Sequence, residues 1–248
     1  MIADEVWRRF GNVKSYVEPF ASFPTTLLAR PDWQPGIWRH EMINDMDGML
    51  CNFWRAMTDD QKCVARHAAI PASKRDLRAR NLWLTGRRES IGSRLEGDPE
   101  WYDPKIAGWW VWAMNRKLGG VPRSIPSLAT RLRYVGVASG HWSRICTDVF
   151  TKAGDLTGVF LAPAVDGGIP TDRYGDRWST DLPEAISKDV RTWAVERGND
   201  PLLRIALCGY EGEHKMPKDW LCHDQVRSKK RIWFSPHCRQ SVPVRVFL

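Results

Sequence analysis

Residues Thr157-Gly158-Val159-Phe160-Leu161-Ala162-Pro163-Ala164-Val165 decide the fold. Val159, Phe160 and Leu161 form a short apolar run between turn-formers. A strand of a parallel sheet reads this way, because helices cover both of its faces. Pro163 cannot continue a ladder, so the strand hands over to a loop there. In open α/β sheets, the ground just beyond a strand's carboxyl end is where ligands bind.

Outward from this strand, the same pattern recurs. Upstream, Val6, Trp7 and Phe10 stand at helical spacing before Gly11. Ser15 to Pro19 reads as a strand, Phe20-Ala21-Ser22-Phe23-Pro24 as a turn, and Thr25 to Arg30 as a helix closed by Pro31. Arg39 to Ile43 reads as a second strand, Asn44 to Gly48 as an acidic loop, and Met49 to Met57 as a helix with one apolar face. Strands resume at Tyr134 to Ala138, and Ser139-Gly140-His141-Trp142 turns into a helix expected to run through Phe150. Downstream, Asp181 and Glu184 have capping-box spacing ahead of a helix that ends at Gly198. Leu203 to Cys208 reads as a buried strand. Arg231 to Phe234 and Val242 to Phe247 read as the last strands, consistent with a late antiparallel hairpin.

Between Asp59 and Arg133 strand signals are few, and helix formers and basic residues dominate. This reads as a helical insertion, residues 59–133, in an α/β domain made of 1–58 and 134–248. Lys74, Arg75, Arg78, Arg80, Arg87, Arg88 and Arg94 give the insertion a basic face. Ile106, Trp109, Trp110, Ala113 and Met114 give it a very apolar helix.

The 248 residues carry a net charge of +8 and a pI near 9.3, which favours an anionic partner, nucleic acid first among them. The six Cys show no Cys-x-x-Cys pair and read as reduced thiols of a cytosolic protein. No apolar run of about 18 residues exists to span a membrane. Met1 to Glu5 has neither a basic nor an apolar signal region, so the expectation is cytoplasmic, or host cytoplasm for a bacteriophage protein.

Four stretches together resemble the phage and bacterial DNA adenine methylases, enzymes that methylate the exocyclic amine of adenine. They are Tyr16-Val17-Glu18-Pro19-Phe20-Ala21, Ile43-Asn44-Asp45-Met46-Asp47-Gly48, Thr157 to Pro163, and Arg204-Ile205-Ala206-Leu207-Cys208-Gly209-Tyr210-Glu211-Gly212. Their order and gaps follow the family across nearly the whole chain. The resemblance implies a mostly parallel, Rossmann-like α/β sheet of the adenosylmethionine-dependent methyltransferase type. It also implies target recognition in the 59–133 insertion.

The site residues follow from the same resemblance, each with a departure. The first cofactor turn, after Glu18, holds Phe20, Ala21 and Ser22 where the family has a glycine-rich turn, and a bulky ring and a proline follow. Asp45 stands where the family's acid accepts from the ribose hydroxyls of S-adenosylmethionine. His141 replaces the Asp that meets the cofactor's adenine, and an imidazole cannot reproduce a carboxylate. The catalytic loop, Asp/Asn-Pro-Pro-Tyr/Phe in the family, reads Ala162-Pro163-Ala164-Val165. In the family its first side chain and the next carbonyl accept from the target amine, and the aromatic stacks on the flipped base. Only the Pro163 carbonyl remains.

These departures lead to the expectation of a degenerate, non-catalytic relative that keeps DNA or protein binding. S-adenosylmethionine would then bind weakly or not at all. Lys74, Arg75, Arg78, Arg80, Lys229 and Lys230 are the candidate phosphate contacts. Two other readings stand beside it: an active adenine methyltransferase with a non-standard loop, and a scaffold pairing in a homo- or hetero-oligomer with an active methylase. Two further clusters are weaker candidates: Cys222-His223 with His237-Cys238 for zinc, and Glu211, Glu213 and His214 for acid/base chemistry.

Overall fold

A computed structural model gives the fold and describes residues 2–37, 39–69, 73–118, 125–152, 155–163, 182–224 and 229–239. The architecture is α/β, and the chain gathers into two compact units. One comprises residues 1–20, 24–32 and 147–248, and the other 21–23 and 33–146.

The first unit is built on β1 (Ser15–Glu18), β4 (Thr157–Leu161) and β5 (Leu203–Tyr210), paired in parallel as β1–β4 and β4–β5. All five residues of β4 are buried, as its continuous apolar run requires of a strand covered on both faces. Gly158 is part of that covering: a Cβ there would stand 2.6 Å from the Phe10 ring, so α1 (Ile2–Phe10) can lie close over the strand. Val6, Trp7 and Phe10 are the buried face of α1. α2 (Thr25–Leu28) follows β1, and the Trp7 indole donates to the Thr26 carbonyl at 2.6 Å. α9 (Asp148–Thr151) and α10 (Leu182–Arg197) complete the unit's helices, α10 burying Val190 and Ala194.

Two late strands close this sheet. β7 (Lys230–Phe234) pairs antiparallel with β5, and β6 (Leu221–Asp224) antiparallel with β7. β6 was not among the expected strands. Leu221-Cys222-His223-Asp224 has no alternating apolar pattern because it is an edge strand with three of its residues exposed. Val242 to Phe247, Asp181 and the side chain of Glu184 lie outside the described residues.

The second unit holds β2 (His40–Asp45) and β3 (Val135–Ser139), a parallel pair, together with α3 to α8. The helices are α3 (Gly48–Asp59), α4 (Gln61–Ala69), α5 (Lys74–Thr85), α6 (Arg88–Gly97), α7 (Pro104–Leu118) and α8 (Ile125–Leu132). The stretch expected to be helical carries helices and no strand among the described residues. α3 is the centre, buried at every position from Gly48 to Met57, with α4, α6, α7 and α8 packed around it. Arg55 sits on that buried helix. Its guanidinium donates to four carbonyls, those of Leu95, Asp98, Trp101 and Val137, at 2.8–3.1 Å. It thereby satisfies the end of α6 and one edge of β3.

The helix expected from His141 to Phe150 is not continuous. The chain makes a 3-10 turn at Trp142–Arg144, breaks, and restarts as α9 after an extended Thr147. Ser143 and Thr147 favour turns and caps over helix interiors, which explains the break. Among the described residues no helix is long and apolar enough to cross a membrane.

Candidate functional site

The second unit brings four of the sequence-predicted residues, Ala21, Ser22, Asp45 and His141, to one place at the carboxyl ends of β2 and β3. Asp45 ends β2. Its Oδ2 accepts from the Ser22 N–H at 2.9 Å and its Oδ1 from the Asp47 N–H at 2.9 Å. Burial raises the Asp45 pKa, and those backbone N–H bonds oppose the shift. The turn before it is anchored on both sides. Ala21 N–H donates to the Asn44 carbonyl at 2.9 Å, the Trp54 indole donates to the Ser22 carbonyl at 3.2 Å, and the Phe23 ring meets Trp54 edge-on. Ser22 itself has φ +39°, a left-handed conformation that glycine adopts without cost.

Beside this loop, Gly140 has φ +114° and donates to the Asp45 carbonyl at 2.9 Å, while Asn44 Nδ2 donates to the Gly140 carbonyl at 2.9 Å. His141 follows, exposed, with Nδ1 2.8 Å from the Ser143 hydroxyl. Asp47 was not singled out in the sequence, yet it caps α3 by accepting from Met49 N–H at 2.9 Å and lies 3.5 Å from Arg88. An Asp immediately before Gly48 and an apolar run was the signal available for it. Beneath the loop, the buried Cys51 thiol donates to the Asp45 carbonyl, and burial pushes its pKa up to about 12. It stays a neutral thiol.

The first unit carries the others. Glu18 ends β1, fully buried, and accepts from the Tyr16 hydroxyl at 3.0 Å. Burial pushes its pKa up to about 8, against the hydrogen bonds from Tyr16 and the Leu27 backbone. Phe20 is half-buried. β4 delivers Ala162, half-buried, and Pro163, buried, and neither has a polar side-chain atom. Ala164 and Val165 lie outside the described residues.

The candidate phosphate contacts are divided between the units. α5 begins at Lys74 behind a capping box, with Ser73 and Asp76 bonded reciprocally at 3.1 Å. Arg75 and Arg78 are exposed on it, and Arg80 instead lies over the Trp109 ring at 4.8 Å. Lys229 and Lys230 are exposed in the first unit, and Lys230 Nζ lies 5.8 Å from the Tyr210 ring centroid. The side chain of Lys74 is outside the described residues.

The two weaker clusters have structural partners. Glu213 accepts from the Ser187 hydroxyl at 2.5 Å and the Tyr210 N–H at 2.7 Å, and Glu211 pairs with Arg231 at 2.8 Å. His214 is buried, and desolvation lowers its pKa against the attraction of Glu213. His237 meets the Asn199 carbonyl at 3.0 Å, and Cys238 is buried. Among the described residues no three His, Cys, Asp or Glu side chains converge as metal ligands. No family model matches the chain, and no curated protein matches it.

Proposed function

We propose that this protein is a non-catalytic relative of the DNA adenine methyltransferases that binds duplex DNA through its backbone phosphates. The observation that carries the reading is the end of β4. Among the described residues, a strand buried at all five positions delivers Ala162 and Pro163, neither with a side-chain acceptor, to the ground where a methylase of this class needs one for the target amine. The parallel frame that would present such a group is intact, which favours lost chemistry over a different fold.

The residues fit S-adenosylmethionine poorly. Asp45 suits a ribose, since each carboxylate oxygen can take a second donor. The turn does not suit close approach, because Phe23 is 46% exposed beside Ser22 and no glycine opens the backbone. His141, already bonded to Ser143, replaces a carboxylate.

Support for DNA comes from the net charge of +8 and from exposed cations at Arg75, Arg78, Lys229 and Lys230. Binding of this kind falls with salt, the log–log slope steepening by about 0.9 per phosphate contact on duplex DNA. Replacing Arg75 and Arg78 with Ala, both off the packed face of α5, should weaken binding to all sequences alike and flatten the slope by about two contacts' worth. A gel-shift series over salt measures this. Absence of retardation at low salt would remove DNA from the proposal and leave a protein scaffold.

A further inference from the structure

A pocket of about 320 Å³ opens in the first unit between α1 and the β6–β7 hairpin. Arg9, Leu221 and Cys238 line it, and Lys218 and Asp219 are exposed at its edge. Phe234 is buried beneath the Arg9 guanidinium, whose carbon lies 5.3 Å from the ring centroid. The pocket therefore presents the cation and not the ring.

Arg9 is only 6% exposed, yet its hydrogen bonding is incomplete. Nε donates to Glu5 Oε1 at 2.8 Å and Nη1 to the Arg239 carbonyl at 3.4 Å. No described residue accepts from Nη2. Glu5 does not fully neutralise Arg9, because Arg8 pairs with the same carboxylate and His223 Nδ1 lies 3.8 Å from it. Two more guanidinia stand behind the Cys238 wall. Arg204 and Arg239 pair with no carboxylate among the described residues. Burial first, and the Arg239 charge second, hold the Arg204 pKa below its ordinary value, so the two cations stand close enough to repel. Arg204 Nε is buried without a hydrogen-bond partner.

The charges that line the pocket, or act on its lining, are Arg8, Arg9, Arg204, Arg239 and Lys218 against Glu5 and Asp219. Burial lowers the His223 pKa and leaves it neutral, Asp224 is paired with Arg231 at 2.8 Å, and burial keeps the Cys238 thiol neutral by pushing it up to about 11. Three positive charges are left over. The carboxyl end of α1 takes part of this, since Arg204 Nη1 donates to the Phe10 carbonyl and the Arg239 N–H to the Arg9 carbonyl. A helix end carries only about half a negative charge, so most of the surplus remains.

We infer that this pocket binds a phosphate dianion, either inorganic phosphate or the phosphate of a small monoester, with Arg9 as its buried donor and Lys218 at its mouth. A guanidinium edge matches phosphate oxygens, and an unbalanced cluster of arginines favours two charges over one. The inference is independent of any DNA or methyltransferase role.

Calorimetry and phosphorus NMR on the full chain test it at low salt and about pH 8, where a phosphomonoester carries two charges. The probes are inorganic phosphate, methyl phosphate, and dimethyl phosphate, the monoanionic diester of a nucleic-acid backbone. The better of the first two should bind with a dissociation constant below about 1 mM, and it names the source, the free ion or an ester body resting on Leu221. Dimethyl phosphate should bind about tenfold more weakly, having one charge and fewer terminal oxygens. Arg239→Gln and Lys218→Gln are exposed, should fold normally, and should each weaken the better probe about threefold. Lys188→Gln, on the exposed side of α10, should leave it unchanged. Dimethyl phosphate binding as tightly as the dianions, affinity unchanged in both Arg239→Gln and Lys218→Gln, an equal loss in Lys188→Gln, or no signal from either dianion up to about 10 mM would overturn the inference.

Discussion

Glu18 closes β1 inside the first unit, and its environment turns an ordinary carboxylic acid into a proton store. With a folded pKa of about 8, raised by burial, it is neutral at pH 7 in the folded protein and ionised in the unfolded chain, where the ordinary value is 4.5. Folding therefore takes up a proton between those values. Stability falls as pH rises through that window, by up to about 1.4 kcal/mol per pH unit from this group. Glu18→Gln mimics the neutral form, so it should flatten the decline between pH 5 and pH 8 and raise the melting temperature at pH 8. Denaturant titrations at both pH values decide it: wild-type stability that holds or rises over this range, unchanged by the substitution, would contradict the assignment. At the same scale, Ser22 holds φ +39° because Asn44, Asp45 and Trp54 pin the turn around it. Ser22→Gly removes the strain of a side chain in the left-handed region and should leave stability unchanged or raise it by up to about 1 kcal/mol. A loss above that size would mean the hydroxyl, not the backbone shape, holds the turn.

Among the elements, α4 and α7 approach each other most tightly at Gly108. A Cβ there would stand 2.5 Å from the His67 Cβ and 2.7 Å from the Val64 carbonyl oxygen, which is backbone and cannot swing aside. Gly108→Val should therefore part the two helices and cost about 1–3 kcal/mol, read as a lower denaturation midpoint. Wild-type stability would show that the helices are not packed this closely. The elements also mark what the sequence could disclose. β4 and the Ile205 to Cys208 part of β5 were legible because buried parallel strands leave uninterrupted apolar runs between turn-formers. β6 was not, because an edge strand facing solvent carries no such pattern. The break between Trp142 and α9 was hidden by apolar residues at helical spacing, with Ser143 and Thr147 as the only local objection. Asp45 was legible from its place after a strand. The partners that occupy its oxygens were not, since one of them lies 23 residues away in a turn whose positive φ has no signature in a serine.

At the scale of the molecule, an α/β frame coexists with a strand end at Ala162 and Pro163 that bears no side-chain acceptor, and with exposed cations at Arg75, Arg78, Lys229 and Lys230. The frame is held by contacts that do not involve the site, such as the four carbonyls gathered by Arg55 and the buried Arg131–Glu41 pair at 2.6 Å. On the proposed reading, chemistry can be lost from the loop without unfolding the protein. The most direct measurement is transfer of tritiated methyl from S-adenosylmethionine to adenine-rich duplex DNA, with protein in excess over sites. The account predicts no incorporation above a protein-free control; label recovered as N6-methyladenine would contradict it.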